Sequence, residues 1–295
     1  MSIAVIGDAF IDLIVPAADI KPGNTYYRNV LTVCGGTANI AIWISRLGQS
    51  VKFLGKVGKD ILGKYFKKDL VQNKVMDMVF WDNDHSTGLC VSLAYPDGER
   101  AMIARRGAND YLTEGEVESA LGELQSSKIV CFSGYSFLSA STREAVLLAI
   151  RECHRAGCEI WFNPGAPNII NSSFLEEVIS SFVHVLVLNV DEAKVLSGKI
   201  EIQAISRRLS QMCALSAVTL GGGGVIVIPA KGDIVHLPSP QVEKVVDTTG
   251  AGDAFAAGFA VGRMQGMNEV DSVQLGQETA AKLLNGRVNI LKNET

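Results

Sequence analysis

The chain has 295 residues, room for one large α/β domain or two small ones and for a substantial buried core. Hydrophobic residues make up 47% and the formal net charge is −4, a balance that argues against non-specific nucleic-acid binding, which needs basic surface. No uncharged apolar run approaches the ~20 residues of a membrane span.

In chain order, residues 2–7 read as a strand ending at Gly7. This start reaches acidic residues at once and has no basic leader, so a signal peptide is not expected. Residues 10–33 hold extended runs, Asp12 among them, but no helical pattern. Gly35-Gly36-Thr37-Ala38-Asn39-Ile40-Ala41 joins the extended run 26–33 to a helical pattern over 39–47. Paired glycines let a backbone approach a ligand closely, and Asn39 offers a donor and an acceptor to hydroxyls. A plain turn before a helix is the other reading.

A strand at 51–57 leads to Gly58-Lys59-Asp60-Ile61-Leu62-Gly63-Lys64 and a helix at 62–73. The heptapeptide spells G-x-x-x-x-G-K, but Tyr65 stands where a Walker A loop needs Ser or Thr for Mg²⁺, so a P-loop is not expected. Residues 88–105 read as a hairpin, 89–95 and 100–104, about the Pro96-Asp97-Gly98 turn. With 10–33 they predict a small sheet apart from the main layer.

Strands at 129–133, 159–163, 185–189, 217–220 and 225–229 alternate with helices at 114–121, 141–156, 191–196 and 202–212. Such alternation predicts a mostly parallel sheet with helices on both faces. Residues 225–229 and 234–237, joined by Lys231-Gly232-Asp233, predict an antiparallel edge. Gly221-Gly222-Gly223-Gly224 precedes a strand, not a helix, which argues against a dinucleotide fingerprint and leaves a flexible hairpin open. Cys34, Cys90, Cys131, Cys153, Cys158 and Cys213 form no C-x-x-C pair, so no structural zinc is expected. Most lie in apolar runs, the pattern of buried thiols in a reducing cytoplasm.

The most informative stretch is Asp247-Thr248-Thr249-Gly250-Ala251-Gly252-Asp253-Ala254-Phe255. An extended run, 242–246, enters it and a small-residue helical run, 254–264, leaves it. The first N–H groups of a helix lack internal partners and carry the positive end of the dipole. Glycines let that backbone close on an anion. A carboxylate beside a phosphate is repelled, so Asp253 is expected to handle a proton. The combination points to phosphoryl transfer to a hydroxyl, with charge stabilised by the turn and the proton taken by Asp253. An ordinary glycine turn with a helix-stabilising Asp is the competing reading.

The string D-T-T-G-A-G-D-x-F resembles the C-terminal signature of the ribokinase (PfkB) family of carbohydrate kinases. Residues Gly35 to Ala41 match that family's N-terminal G-G-x-x-x-N-x-A pattern, more than two hundred residues earlier. The resemblance spans about residues 3–284. It implies a ribokinase-like three-layer α/β/α fold with a mostly parallel central sheet and a small β-sheet lid. The expected organisation is a single kinase domain over 1–295, with lid segments at about 10–33 and 88–106. In the family such lids cover the sugar and often pair with another subunit's lid, which implies a homodimer.

The resemblance also assigns roles. Asp253 is the catalytic base, and the amides of Gly250, Ala251, Gly252 and Asp253 form the anion hole. Asp12, Gly35, Gly36 and Asn39 make the sugar site; a carboxylate accepts from two neighbouring hydroxyls and so suits a vicinal diol. Asn189-Val190-Asp191-Glu192 matches N-x-x-E, putting Asn189 near the phosphates and Glu192 on the Mg²⁺ shell through water. A helix start with acidic first-turn residues is the plain alternative. Thr219, Gly221 and Gly224 are assigned to the nucleotide and Asn285 to its base. Asp247 and Thr249 match positions that bind a monovalent cation, K⁺, in many members. Arg105 and Arg106 precede Gly107-Ala108-Asn109, a family-like turn at the lid's return. Arginine grips phosphate bidentately, so these two would hold an acceptor phosphate or else stand as solvated charges. Arg105 and Asn109 are assigned to the acceptor.

Two departures matter. Ser133-Gly134-Tyr135-Ser136-Phe137 has no carboxylate where ribokinase proper uses one on the sugar. Tyr135 and Phe137 would instead stack on a nucleobase, wall a pocket or pack in the core. The run from Leu284 to Asn289 lacks the usual small Gly-Ala ending. The expected protein is a cytoplasmic, Mg²⁺-dependent kinase moving the γ-phosphoryl of ATP to a hydroxymethyl group of a sugar. A nucleoside kinase, a sugar-phosphate kinase and a non-catalytic sugar-binding regulator are the alternatives. Its partner is a small sugar or nucleoside, not nucleic acid or membrane.

Overall fold

The computed structural model describes residues 2–17, 30–95, 100–165, 173–242 and 248–292, without the side chains of Pro16, Arg100 and 286–292. The 96–98 turn, the run 243–246 and Asp247 lie outside the described residues.

The strands are β1 (Ile3–Ile6), β2 (Ala9–Pro16), β3 (Leu31–Gly36), β4 (Val51–Gly58), β5 (Met76–Asp82), β6 (Gly88–Ala94), β7 (Arg100–Arg105), β8 (Ile129–Ser133), β9 (Glu159–Asn163), β10 (Val185–Asn189), β11 (Leu215–Thr219), β12 (Val225–Pro229) and β13 (Val235–Leu237). One sheet runs β13-β12-β11-β10-β9-β8-β1-β4-β5. From β11 to β5 every pairing is parallel, and β12 and β13 add the expected antiparallel edge. The second sheet, β3-β2-β6-β7, is the small separate layer that the two strand-only segments predict.

The helices are α1 (Ala38–Arg46), α2 (Ile61–Gln72), α3 (Glu114–Gln125), α4 (Ala140–Arg155), α5 (Ser173–Phe182), α6 (Val190–Ser197), α7 (Ile202–Leu209), α8 (Ala251–Met264) and α9 (Glu269–Lys292). Side chains alternate faces along a strand. In β1, Ala4 and Ile6 therefore join a core with α3, α4, α5, α6 and α7, while Ile3 and Val5 join another with α1, α2, α8 and α9. The central strands are buried on both faces, so they read as continuous apolar runs.

The G-x-x-x-x-G-K segment is a structural turn. The Asp60 carboxylate caps α2 at Gly63 N and also accepts from Thr87 N and Oγ1, tying α2 to the base of β6. Three elements escape the periodicity analysis: β5, α5 and α9. In β5, Asp77 and Asp82 resemble loop residues, but they meet Lys67 and Lys56. In α9 the apolar stripe is thin because α8 comes close, with Gly258 against Thr279 and Gly262 against Ser272.

Candidate active site

A cavity of about 650 Å³ opens at the carboxyl ends of the parallel strands. Asp8 after β1, Ser133 ending β8, Asn163 ending β9, Asn189 ending β10 and Thr219 ending β11 all line it. Ligands bind at that edge in open α/β sheets, since the loops there are free of the sheet's own packing. Asp12 of β2, Gly36 of β3, Cys90 of β6 and Ala104 of β7 line it from the small sheet.

Helix α8 starts at this cavity. Its N-cap, Gly250, has φ +77, a left-handed conformation that favours glycine. Gly250, Gly252 and Asp253 line the cavity, and Ala251 lines a neighbouring one. A Cβ on Gly252 would meet nothing within 4 Å, so the space over this helix start is open. A helix start favours an anion, and here Ala251 N already donates to Thr248 O at 3.1 Å. Asp253, in the first turn of α8, has its Oδ2 3.3 Å from Asn39 Nδ2, in the first turn of α1.

Asp12 is buried, 5% exposed; it pairs with Val33 of β3, and Gly35, two residues on, pairs with Phe10. A Cβ on Gly35 would fall 2.0 Å from Asp12 Oδ2. Gly35 is not on the cavity wall; it makes room for a carboxylate that is. Gly36, Thr37 and Asn39 continue the wall.

Asn189 and Glu192 form a capping box. Asn189 Oδ1 accepts from the Asp191 and Glu192 amides, and Glu192 Oε2 accepts from Asn189 N at 2.9 Å. The plain helix-start reading therefore holds, yet both residues also line the cavity. Burial pushes the Glu192 carboxyl up to about 7; the Asn189 amide opposes this, and the charges of Asp191 and Asp253 add to it. A carboxylate held this way gains from a cation. The oxygen donors suit a hard ion such as Mg²⁺. Among the described residues no group of three or more His, Cys, Asp or Glu side chains could hold a metal alone.

A second cavity, of about 520 Å³, is lined by Thr219, Gly221, Gly224, Gln277 and Leu284. Thr219, Thr248, Gly252 and Phe255 line both cavities, so the two are continuous around the start of α8. Thr249 is buried on the first cavity's wall.

Three further assigned residues line neither cavity. Arg105 is exposed, donates to Thr87 O at 3.4 Å and does not reach the wall. Asn109 is 3% exposed, and its amide is spent on backbone: Nδ2 donates to Ala9 O and Arg106 O, and Oδ1 accepts from Ala9 N. It ties the β7 return to the start of β2. Asn285 is exposed and lines neither cavity, where Leu284 lines the second.

Arg106 is the arginine on the wall, and it is already paired. It donates to Asp8 Oδ2 at 2.7 Å, to Asp8 Oδ1 at 3.0 Å and from Nε to Asp110 at 2.6 Å. Burial pushes the Asp8 carboxyl up, and the charge and hydrogen bonds of Arg106 pull against it. Asp8 and Asn163 were not among the residues singled out from sequence. The available signal was a polar residue closing an apolar parallel strand.

A family model described as pfkB family carbohydrate kinase matches residues 1–287. The chain belongs to the PfkB family. It is a phosphotransferase with an alcohol group as acceptor, on a ribokinase-like fold. This PfkB kinase is 30% identical over 267 residues to the aminoimidazole riboside kinase of Salmonella typhimurium, covering 86% of this chain and 78% of that protein. It is 29% identical to the ribokinase of Bacillus subtilis, covering 95% and 92%. Among solved structures it resembles adenosine kinase from Sinorhizobium meliloti, with a TM-score of 0.88, 28% identity and coverage of 96% and 93%.

Proposed function

We propose that the protein transfers the γ-phosphoryl group of ATP to a hydroxymethyl group of a neutral sugar or nucleoside. The observation that carries this reading is the meeting of Asp253, Asn39, Asp12 and the start of α8 on one cavity. Asp12 accepts from two neighbouring hydroxyls of the acceptor, which turns its hydroxymethyl oxygen towards Asp253. Asp253 takes the proton as that oxygen bonds to the γ-phosphorus. The bond from γ-phosphorus to the bridging oxygen breaks, and ADP leaves with the electron pair. The amides of Gly250, Ala251, Gly252 and Asp253 hold the charge on the moving group.

Asn189 and Glu192 would face Mg²⁺ through its waters, which bound Mg²⁺ keeps while it offsets phosphate charge. Thr249, with Asp247, would face K⁺. Thr219, Gly221 and Gly224 would run along the nucleotide, with its base in the second cavity. The small sheet would act as a lid on a single kinase domain, excluding water from the transfer. Pairing of two copies through that lid belongs to the same reading, as does a cytoplasmic location; no described helix is long and apolar enough to cross a membrane.

A phosphorylated acceptor fits poorly. Arg106 is the cation on the first cavity's described wall, and Asp8 and Asp110 already neutralise it. Asp12, Glu192 and Asp253 would repel a second phosphate. The test is ADP release with ATP and Mg²⁺ against free sugars, nucleosides and sugar phosphates, with Asp253→Asn as control. One strong neutral acceptor that fails in the control is the expected result. Full activity in Asp253→Asn would remove the base assignment, and binding without turnover would favour a sugar-binding regulator.

A further inference from the structure

The four-glycine run between β11 and β12 has open space beside it and a tie to a neighbouring strand. A Cβ on Gly221 or Gly222 would meet nothing within 4 Å, and both residues line the second cavity. Gly221 has φ +57 and Gly224 has φ +94, so two of the four hold conformations that favour glycine. Three bonds close the run on itself: Gly223 N donates to Leu220 O at 3.0 Å, Gly224 N to Gly221 O at 3.1 Å and Leu220 N to Gly224 O at 2.8 Å. Glycine loses more backbone freedom on ordering than any other residue, so such a run gains from an external tie.

Strand β13 supplies one. Its His236 stands opposite Ile226 of β12, and the imidazole reaches back to the run, where Nε2 donates to Gly223 O at 2.7 Å. The acceptor is a carbonyl, so Nε2 carries the proton. A Cβ on Gly224 would fall 2.0 Å from Leu237 O, so the end of the run is seated on the same strand. Gln277 of α9, on the wall of the second cavity, donates in turn to Leu237 O at 3.4 Å and to Pro238 O at 3.0 Å. His236 itself is exposed and lines neither cavity. It acts on a ligand of the second cavity through the backbone that it holds.

We propose that His236 is a positioning residue for the phosphate donor: its Nε2–H fixes the glycine run in the conformation that receives the nucleotide. The proposal rests on the reading that places ATP along this run. With the tie cut, the run samples other conformations, and apparent affinity falls with the fraction that is ready for the nucleotide. Bound nucleotide holds the run by itself, so the transfer step at saturating ATP is untouched. So tied, four glycines form a preorganised wall rather than a flexible hairpin.

The experiment is calorimetric titration of the full chain with ATP and Mg²⁺, paired with ADP release at varied ATP. It compares the unsubstituted protein with His236→Ala, His236→Phe and His236→Gln. The first two substitutions remove the donor, and the second keeps a ring; the third offers an amide donor at a similar reach. His236→Ala and His236→Phe should each raise the ATP Kd and KM about three- to tenfold, the worth of one ordinary hydrogen bond, with kcat and acceptor KM unchanged. His236→Gln should restore most of that loss. An unchanged ATP Kd in His236→Ala and His236→Phe would overturn the proposal. So would a loss in His236→Gln as large as in His236→Ala, or a lower kcat at saturating ATP with ATP KM unchanged. ATP binding without turnover would sink the transfer reading alone, since the titrations still read the tie. Turnover with one ATP Kd for all four proteins would sink this proposal alone. Failure of the unsubstituted protein to bind ATP would overturn both.

Discussion

Asn39 Nδ2 lies 3.3 Å from Asp253 Oδ2, although 214 residues separate them. The contact joins the starts of α1 and α8, so the two glycine motifs that stand far apart in sequence share one hydrogen bond. An amide donor on Oδ2 helps to fix the carboxylate's orientation. Asp253→Asn should cut kcat by ~10²–10⁴-fold while ATP still binds in a titration, since a base acts on the reaction and not on the nucleotide. Asn39→Ala should lower kcat about tenfold or more, the cost of losing a hydrogen bond to a charged group. Unchanged kcat in Asn39→Ala would mean that the contact orients nothing.

Glu192 sets a pH dependence. Burial is the main reason that its carboxyl rises from 4.5 to about 7 in the folded, metal-free protein. Between those values the unfolded chain has lost a proton that the folded protein keeps. Stability of the metal-free protein should therefore fall as pH rises through this window, and Glu192→Gln should flatten that part of the profile. Urea unfolding at about pH 5 and about pH 7.5, with and without the substitution, checks this. An identical slope in Glu192→Gln would assign the proton to another group.

The neighbouring arginines should behave in opposite ways. Arg106→Ala strands the Asp8 carboxylate, whose side chain is 5% exposed, and should cost ~3–5 kcal/mol of stability. Arg105→Ala touches an exposed residue and should stay within about 0.5 kcal/mol, with no change in acceptor KM. A raised acceptor KM in Arg105→Ala would return that residue to the acceptor site.

Gly35→Ala tests a residue that acts through another. Its new methyl would fall 2.0 Å from Asp12 Oδ2, so the carboxylate must turn away. Acceptor KM should rise about tenfold or more, the loss of a charge-assisted hydrogen bond, while nucleotide affinity holds. Equal losses for acceptor and nucleotide would point to a general collapse of the small sheet.

The amino-acid sequence by itself determined the alternation of strands and helices, the separate small sheet, the antiparallel edge and the glycine turn before α8. Each is a local matter: side-chain period, turn chemistry and helix-end polarity act within a few residues. The tertiary structure decided what faces what. Arg105 and Arg106 are adjacent and alike, yet one is solvated and the other is locked to Asp8, across 98 residues of sequence. Asn109 looked like a ligand-binding amide until Ala9 claimed both its ends. Tyr135 and Phe137 were interchangeable as candidates; one lies on Gly165 at the cavity, and the other fills a core of three further rings. A side chain's periodicity is written in its own neighbourhood, but its partner is supplied by whichever distant strand or helix the folded sheet brings beside it.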